Sequence, residues 1–538
     1  MTSASNRLAS SWLALLVAPA ALLAACGDEI HNDYHHYYYG DAGAAGGGPD
    51  GSAGEAGGGG GGGEAGSGTG EAGAGGAEPG VDPRYPEAPR ADTEVAEHEL
   101  ELFGVEGNRF YFAVSDAQRQ AMNDAGPGGG GPWGPHYTPG GSSANYVDHL
   151  WVTTAGPEPK TADYGKVQVK VVGQSTRQPW DSTHIPNLNV DIDEFVKNQR
   201  IGGYEHLRFS NGQVGTIYRD RLAYDIYRAL DYPAPLVRYV WVDSNVWGPS
   251  VSIPYILVER YKRAFCNRNA DELGGGCTNM WELVGDFGGG FGGPKREGGP
   301  DFVPGPIPEP GGGMWDNPDN CQLDTCEGSR VSKLEEKLLE LPPGEGFKEA
   351  LSEYIDWPAF HRFQCLSWLL ATSDDTIHAS NNVVLVERAD GLFQYLPYSV
   401  DISLGFGDSG SVGLRGNSVL ARGCQDDPAC WSDTLDACEA VLDQLEAIDP
   451  RGMLLELRES LKAEGMLRSG DDFAYRQIDD YLAERLASAP AALQQYRDGS
   501  LCEAPQVDCN GFCQPPPCFD GEEPKPEPKP EIMSYAVE

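Results

Sequence analysis

The feature that most constrains this chain is the tract at residues 41–80, in which half of the residues are glycine. Such a tract has few apolar side chains to bury, so folding would not offset the conformational entropy lost on ordering it. We therefore predict a disordered, Gly-rich tether at residues 27–91. A second Gly/Pro-rich stretch, residues 285–313, predicts a surface insertion. With a Cys-rich and Pro-rich tail at residues 501–538, the folded body is expected within residues 92–500.

The N-terminus carries a targeting signal. Arg7 precedes an apolar run that ends in Leu-Ala-Ala-Cys26, and this pattern resembles a bacterial lipoprotein signal with its lipobox. The alternative is a transmembrane helix, but a span needs about 20 apolar residues, and serines and Pro19 interrupt this run. The resemblance implies that residues 1–26 are the signal peptide and lipobox and that Cys26 is acylated. The protein is then extracytoplasmic and lipid-anchored to a bacterial membrane, with the outer membrane or cell surface as the expected location.

Charge and cysteine content narrow the function classes further. The formal net charge is −42 and no basic stripe is present, so the sequence argues against a dedicated nucleic-acid binder. Setting Cys26 aside, twelve of the 13 cysteines remain, an even number that favours local disulfides in an oxidising compartment. No Cys-x-x-Cys pair occurs, which argues against a zinc site built from such pairs. Cysteine connectivity stays open.

Hydrophobic periodicity predicts an α+β body. Strands are predicted at residues 108–114, 145–153, 166–172, 237–243, 252–259, 383–387 and 393–396. An amphipathic helix is predicted at residues 218–230, where apolar residues recur with the helical period. Residues 431–496 are predicted to be helical throughout, which adds a helical C-terminal part to the body.

Six sequence blocks follow this order of elements, at residues 169–176, 188–195, 218–223 with the prolines at 233–235, 255–259, 374–385 and 393–401. Together they resemble the CotH spore-coat kinase family over about residues 164–408, with a weaker helical likeness to about residue 496. The resemblance implies an α+β, atypical protein-kinase-like (CotH-like) fold, with residues 92–163 as an N-terminal strand and helix extension and residues 164–500 as the kinase domain. It also implies an enzyme that transfers phosphoryl from ATP, with Mg²⁺ or Mn²⁺, to Ser/Thr of a surface or coat protein.

The strongest candidate for chemistry is the loop that enters the strand predicted at residues 383–387. Asp375 precedes Asn382 by seven positions, and the resemblance implies that Asp375 is the catalytic base and that Asn382 binds metal. A carboxylate and an amide oxygen on one short loop suit a hard divalent cation. The alternative is a polar loop in which Asp374 or Asp375 accepts hydrogen bonds from backbone N–H groups. Asn381 can also take the place of Asn382.

Nucleotide binding is expected at two further places. One is a turn after a predicted strand, where backbone N–H groups and a hydroxyl suit phosphate oxygens, formed by Gly173, Gln174 and Ser175. An ordinary hairpin turn is the alternative there. The other is Glu259, which ends a predicted strand and matches a family acid near the nucleotide hinge. Its alternative role is a strand-end carboxylate paired with Arg260 or Arg263.

Two departures from the family pattern weaken the expectation of catalysis. Asp401 is expected to bind metal, but Ser399 stands where the family has the first acid of its Trp-Asp-x-Asp motif. A hydroxyl is a poor replacement for a carboxylate on Mg²⁺. The strand expected to carry a Lys has none at residues 185–191, so Lys170 or Arg177 would have to reach the phosphates. The sequence leaves open a catalytically inactive CotH-like pseudokinase, acting as a structural or binding lipoprotein of the cell envelope, and a carbohydrate-binding envelope lipoprotein.

Two histidines, His361 and His378, are expected to be structural or exposed and not catalytic. Neither His361 nor His378 lies beside a Ser or Cys with the context of a nucleophile. The sequence also has no Gly-x-Ser-x-Gly elbow and no Gly-rich dinucleotide fingerprint between a strand and a helix.

Overall fold

The computed structural model of the chain describes most of the body expected from the sequence. The described residues are 101–124, 145–172, 178–212, 217–248, 251–283, 321–323, 326, 329–342, 344–375, 377–378, 382–406, 412–416, 418–499, 507–509 and 512–514. The predictions for the signal sequence with Cys26, the tether, the insertion at residues 285–313, the turn at residues 173–175 and Arg177 fall outside them.

Seven strands close into a β-barrel. They are β1 (Asn108–Ala113), β2 (Tyr146–Thr153), β3 (Thr161–Val172), β4 (Asn187–Asp191), β5 (His206–Ser210), β6 (Val237–Ser244) and β7 (Ser252–Glu259). Their order around the barrel is β1-β2-β3-β4-β5-β7-β6. The neighbouring pairs are antiparallel except β1 and β6, which run parallel, with Phe110 opposite Val242. This parallel pair closes the barrel.

Alternation along the strands fills the barrel interior with aromatic and aliphatic side chains. Phe110 and Phe112 of β1 both contact Phe209 of β5 edge to face, with ring centroids 5.0 and 5.6 Å apart. Tyr111, between them in sequence, belongs to a separate cluster with Trp151 of β2. Successive side chains of a strand point to opposite faces, so the Phe residues face the core and Tyr111 faces outward from it.

The predicted kinase-like fold is wrong. The structure has a closed, mixed seven-stranded barrel, a second small sheet and helices, and not the lobed architecture of a kinase. The difference arises from β1 and β2, which were expected to form an extension before residue 164. They pair with β6 and β3 and convert an open sheet into a barrel, which leaves its strands without exposed edges. Periodicity cannot predict a pairing between segments as far apart as Asn108 and Val240.

A second sheet and ten helices complete the described fold. The sheet has the order β10-β9-β8, formed by β8 (Cys277–Leu283), β9 (Val383–Arg388) and β10 (Phe393–Leu396), and a short hairpin joins β11 (Val507–Cys509) to β12 (Phe512–Gln514). The helices are α1 (Asp116–Asp124), α2 (Tyr218–Ala229), α3 (Arg263–Arg268), α4 (Ser329–Glu340), α5 (Phe347–Leu351), α6 (Trp357–Leu369), α7 (Val419–Asp426), α8 (Pro428–Ile448), α9 (Pro450–Ala463) and α10 (Asp471–Asp498).

Two of the long helices begin with clear capping signals. Asp356 caps α6 by accepting a hydrogen bond from Ala359 N at 3.0 Å, and Asp427 caps α8 by accepting one from Ala429 N at 3.0 Å. Each cap is followed by a proline near the helix start, where its missing N–H costs nothing. One apolar core joins α2 to α6, α8 and α10. None of the helices in the described part is both long and apolar enough to cross a bilayer.

Four disulfides cross-link the described residues. Three are local, Cys266–Cys277, Cys321–Cys326 and Cys424–Cys430, as expected from the cysteine spacing. The fourth, Cys365–Cys438, joins α6 to α8 across 73 positions. The side chains of the C-terminal cysteines lie outside the described residues. Four disulfides are compatible with an oxidising, extracytoplasmic compartment.

Candidate functional site

Two neighbouring loops carry the acids predicted for chemistry. The first follows α6 and includes Asp375, and the second follows β10 and includes Asp401. Ser373 N in the first loop donates a hydrogen bond to Ile402 O in the second at 3.3 Å. A second backbone bond, between Leu404 N and Leu370 O, is 2.6 Å long. The two loops therefore lie side by side, with a predicted acid on each.

Backbone strain is concentrated in these two loops. Among the described residues, seven that are not glycine have a positive φ, and four of them belong to the two loops: Ala371, Asn382, Ser399 and Leu404. Left-handed backbone is unfavourable for side chains with a Cβ, most of all for a bulky one such as Leu404 at φ 52°. Such strain persists where the surrounding structure enforces it, and it is common at functional sites.

Asp375 is buried, with only 2% of its surface exposed. Its Oδ1 accepts hydrogen bonds from His378 N at 2.8 Å and from His378 Nδ1 at 3.1 Å, and its Oδ2 accepts one from Ser367 Oγ. Both carboxylate oxygens are therefore engaged. These contacts match the loop-anchoring alternative, while the catalytic role of Asp375 stays a prediction.

The contacts of His378 favour a proton on both ring nitrogens. Its Nε2 lies 2.9 Å from Gly413 O, and its Nδ1 lies 3.0 Å from Thr372 O. Carbonyl oxygens only accept hydrogen bonds, so each nitrogen must donate, and the ring is an imidazolium. Burial lowers the pKa of His378, but the charge of Asp375 and the hydrogen bonds outweigh it and raise the pKa above its ordinary value. The raised pKa favours the imidazolium form of His378.

Asn382 is held by the acid that precedes Asp375. Its Nδ2 donates to Asp374 O at 2.7 Å and to Asp374 Oδ2 at 2.9 Å, in a residue whose φ is 51°. This orientation commits the NH₂ group of Asn382 to the loop. Its amide oxygen receives no hydrogen bond from any other described residue, which leaves an oxygen suited to a hard cation.

Asp401 lies beside a second acid, Asp220 of α2. Asp220 is 8% exposed, and burial together with the charge of Asp401 raises the pKa of Asp220 to about 7, although Arg208 and a hydrogen bond from Ser210 Oγ oppose this. Asp401 Oδ1 accepts a hydrogen bond from Ser399 Oγ at 2.9 Å. The charge of Asp401 disfavours the ionisation of Asp220, and a divalent cation bound here would offset that effect.

The basic side chain near Asp220 and Asp401 is Arg208 of β5, which the sequence analysis did not identify. Its Nη1 donates to Tyr398 Oη at 3.3 Å, and its guanidinium lies 5.7 Å from the centre of the Tyr398 ring. Lys170, which the sequence analysis offered in place of the missing strand Lys, instead forms an ion pair with Asp191 at 3.2 Å. The available signal was a basic residue at the middle of the short alternating segment His206–Ser210, one strand later than the strand expected to carry it.

One face of α2 reaches both loops. Asp220, Tyr224 and Tyr227 lie at positions i, i+4 and i+7, so they share a helix face. Burial, followed by the charge of Asp220, raises the pKa of Tyr224, and Asp401 adds to this effect. Burial and the charge of Asp375 raise the pKa of Tyr227. The electrostatic influence of both predicted acids therefore converges on this face.

Glu259 lies at the end of β7 and is 1% exposed. Its Oε2 accepts a hydrogen bond from Leu236 N at 2.9 Å, and its carboxylate forms an ion pair with Arg268. Burial raises the pKa of Glu259 against the opposing effect of Arg268. The contacts match the alternative of a paired strand-end carboxylate, although the partner is Arg268 and not the expected Arg260 or Arg263. The nucleotide-binding role stays a prediction.

A separate group of side chains has the spacing of metal ligands. Donor atoms of His361, Cys424 and Cys430 lie within 4.8 Å of one another. However, the two cysteines are joined in a disulfide, so the group offers no thiolate. The oxygen groups of Asn382, Asp401 and Asp220 are of the type that Mg²⁺ or Mn²⁺ prefers.

No protein-family model and no curated protein matches this sequence. The resemblance to the CotH family, and the activity, cofactors and partners that it implies, therefore stay predictions.

Proposed function

We propose that the protein is a metal-dependent phosphotransferase that uses ATP and phosphorylates Ser/Thr hydroxyls of a surface or coat protein. The observation that carries the proposal is that two strained loops, bearing Asp375, Asn382 and Asp401, are hydrogen-bonded to each other near the buried Asp220 and the half-buried Arg208. Phosphoryl transfer requires little more than charge neutralisation, positioning of the phosphates and orientation of the attacking hydroxyl. Clustered acids, an amide oxygen and a guanidinium are the groups that this chemistry uses.

The cation would be held by Asp401 and the amide oxygen of Asn382, with Asp220 as a further buried carboxylate beside Asp401. When bound, Mg²⁺ or Mn²⁺ would neutralise charge on the phosphate oxygens. We assign to Arg208 the role expected of a Lys, that of pairing with the phosphates. The ring of Tyr398 restrains its guanidinium, and a planar guanidinium suits bidentate contact with phosphate.

Two acids are candidates for the general base that accepts the proton of the substrate hydroxyl. Asp375 is the predicted base, but it would accept a proton from a substrate hydroxyl only after one of its bonds with Ser367 or His378 opened. Asp374 is less buried and contacts the metal-ligand candidate Asn382 through Oδ2. Removal of a general base typically lowers a rate by about 10² to 10⁴ fold, so separate Asp374→Asn and Asp375→Asn variants identify which acid acts.

The full engagement of Asp375 also favours a second function, that of a nucleotide-binding protein without transferase activity. This function corresponds to the pseudokinase alternative of the sequence analysis, without its kinase-like fold. The hydroxyl of Ser399, which stands in place of a metal-binding acid, and the engaged carboxylate of Asp375 support it. Such a protein would act as a binding component of the cell envelope.

One experiment separates the two functions. Purified protein is incubated with labelled ATP and Mg²⁺ or Mn²⁺, with autophosphorylation and a Ser/Thr-rich acceptor protein as readouts, and its thermal stability is measured with and without nucleotide. Transfer that is lost in Asp401→Asn but retained in the surface control Asp479→Asn supports the phosphotransferase. Metal-dependent stabilisation by nucleotide without transfer supports the binding protein, because only a ligand of the native state raises apparent stability. If neither phosphoryl transfer nor stabilisation by nucleotide were observed, both proposed functions would be contradicted.

We also propose that the protein acts outside the cytoplasm, held at a membrane by a lipid on Cys26. The four disulfides support an oxidising compartment. Inhibition of signal peptidase II in the producing cells should cause a larger precursor to accumulate. Unchanged electrophoretic mobility would contradict the anchor.

A further inference from the structure

The outer face of β3, β4 and β5 is lined by polar and charged side chains. Successive residues of a strand alternate between the core and this face, because their side chains point to opposite sides in turn. The face carries Lys170, Asn189, Asp191, His206 and Arg208. In the strand register, Asn189 lies opposite Arg208 and Asp191 lies opposite His206. Arg208, the candidate for phosphate binding, therefore belongs to a charged surface that extends over neighbouring strands.

Arg260 lies beside this surface, directly after β7, the strand that pairs with β5. Its Nη1 is 3.8 Å from Asp191 Oδ1, and its Nη2 is 4.0 Å from Glu282 Oε2 of β8. Both distances are longer than an N–H to oxygen hydrogen bond, which spans about 2.7 to 3.2 Å. Arg260 makes no hydrogen bond with any described residue, so the five N–H donors of its guanidinium remain available.

The two acids near Arg260 have closer partners of their own. Asp191 Oδ1 lies 2.7 Å from His206 Nδ1, and Glu282 Oε1 accepts a hydrogen bond from Tyr398 Oη. Neither carboxylate would lose its hydrogen bond if Arg260 turned away from it. Ion pairs between partly exposed side chains at such distances contribute little to stability. Arg260 is therefore held loosely, and a stronger anionic ligand could replace either acid.

Arg208 and Arg260 are connected through Tyr398 and Glu282. Tyr398 Oη accepts a hydrogen bond from Arg208 Nη1 at 3.3 Å and donates one to Glu282, the acid next to Arg260. Burial and the charge of Glu282 raise the pKa of Tyr398, and the charges of both arginines oppose this, so both cations act on the same phenol. Among the described residues, none of the buried polar atoms without a hydrogen bond belongs to Arg208 or Arg260. The remaining donors of both guanidiniums therefore reach solvent, where an anion can contact them.

We propose that Arg208 and Arg260 form a two-guanidinium clamp for a chain of condensed phosphates. Arg260 would exchange its two distant carboxylate contacts for charge-assisted hydrogen bonds with phosphate oxygens, which suit its planar guanidinium. A single phosphate presents its oxygens around one centre, whereas a chain of phosphates extends to a second cation. Arg260 is thus a specificity-determining residue that favours a nucleoside triphosphate over ligands with one phosphate. The inference rests on the proposed function, which assigns Arg208 to the phosphates.

The test compares inorganic tripolyphosphate with orthophosphate, which has the same chemical groups but no chain. Calorimetric titration of the purified full chain, with Mg²⁺ in excess so that both probes bind as their magnesium complexes, measures the affinity for each. The unmodified chain should bind tripolyphosphate at least about tenfold more tightly than orthophosphate, which is the effect of one additional charge-assisted hydrogen bond. Equal affinities for the two probes would overturn the proposal.

Variants of Arg260 assign the selectivity to this side chain. Arg260→Met leaves Asp191 and Glu282 with their closer partners, so it should fold, lose about tenfold in affinity for tripolyphosphate and change little for orthophosphate. Arg260→Lys keeps the charge between the two acids, which protects folding, and should bind tripolyphosphate with intermediate affinity because it lacks the planar guanidinium. Arg476→Met removes an exposed arginine of α10 and is the matched control, which should bind both probes as the unmodified chain does.

The outcomes separate this inference from the proposed function. If Arg260→Met kept its full affinity for tripolyphosphate and lost only thermal stability, Arg260 would merely bridge β4 to β8; the clamp would be wrong and the proposed function would stand. An equal loss of affinity in Arg476→Met would show an effect of overall charge and would also overturn the clamp. If the unmodified chain bound neither tripolyphosphate nor ATP, both the clamp and the phosphotransferase would be contradicted.

Discussion

His378 and Asp375 form a buried ion pair in which the imidazolium donates from both nitrogens and the carboxylate accepts from the ring and from the His378 N–H. The pair closes the first acidic loop on itself, because the two residues are only three positions apart. Gly413 and Thr372 supply the remaining acceptors, so the ring also ties this loop to the segment that contains Gly413. The arrangement holds Asp374 and Asn382 in place beside it.

This ion pair predicts how stability depends on pH. The pKa of His378 is raised in the folded protein, so its contribution to stability is complete below the unfolded value near 6.5 and is lost as pH rises through the folded value. One group contributes at most about 1.4 kcal/mol per pH unit. Urea unfolding at pH 6 and pH 9 should therefore show a larger gap between the unmodified chain and His378→Gln at pH 6. A gap that is constant or wider at pH 9 would contradict the imidazolium assignment.

Sequence patterns predicted the local elements well but not their assembly. The helix at Tyr218–Ala229 and the strands at Val383–Arg388 and Phe393–Leu396 lie close to where periodicity placed them, because their side-chain patterns repeat within a few residues. Barrel closure depends on pairing between β1 and β6, which no local pattern encodes. The CotH-like fold was predicted from the order of elements along the chain. It is wrong because that order does not determine which distant strands pair.

The candidate site was predictable in part. The resemblance drew attention to Asp375, Asn382 and Asp401, which the structure places on two adjoining loops. It missed Arg208, since β5 has five residues and was not predicted as a strand. It also missed Asp220, whose significance depends on burial beside Asp401 and not on any linear motif. Arg208 and Asp220 were both identified only from interactions between segments that are distant in sequence.

The pair Asp220 and Asp401 predicts a cation-dependent gain in stability. A metal that binds only the folded protein adds about 2.7 kcal/mol at a concentration of 100 times its Kd. Thermal unfolding in Mn²⁺ or Mg²⁺ should show this gain for the unmodified chain, and Asp401→Asn should lose it. Asp479→Asn is the matched control, because Asp479 forms an exposed ion pair with Arg451. Equal metal-induced shifts in the two variants would place the cation elsewhere.

Arg208 predicts a separate effect on folding and nucleotide binding. Replacement by Met removes the charge that lowers the pKa of Asp220 and the hydrogen bond to Tyr398 Oη, and the loss of a hydrogen bond made by a charged group typically costs about 1.5 to 3 kcal/mol. Lys170→Met is the control, because Asp191 retains His206 and Arg260 as partners. We expect Lys170→Met to cost about 1 kcal/mol or less.

The nucleotide readout uses Arg208→Lys, which keeps the charge but loses the planar guanidinium. It should fold, yet show a smaller stabilisation by ATP than the unmodified chain, because Lys cannot make a bidentate contact with phosphate. Calorimetric titration with ATP and Mg²⁺ measures the difference directly. Undiminished ATP affinity in this variant would remove Arg208 from the proposed phosphate site.

The disulfide Cys365–Cys438 should matter more to stability than the local ones, because it closes the longest loop among the described pairs. In the chain-entropy account, a cross-link spanning 73 residues stabilises by about 4 kcal/mol, and one spanning 5 residues, as in Cys321–Cys326, by about 2 kcal/mol. The paired replacements Cys365→Ser/Cys438→Ser and Cys321→Ser/Cys326→Ser are compared by urea unfolding under oxidising conditions. The first pair is also buried within the packing of α6 against α8, so its serines leave polar groups in an apolar core and add to the loss. We expect the long-range pair to lose at least twice as much stability as the local pair; an equal or smaller loss would mean that packing alone holds α6 against α8.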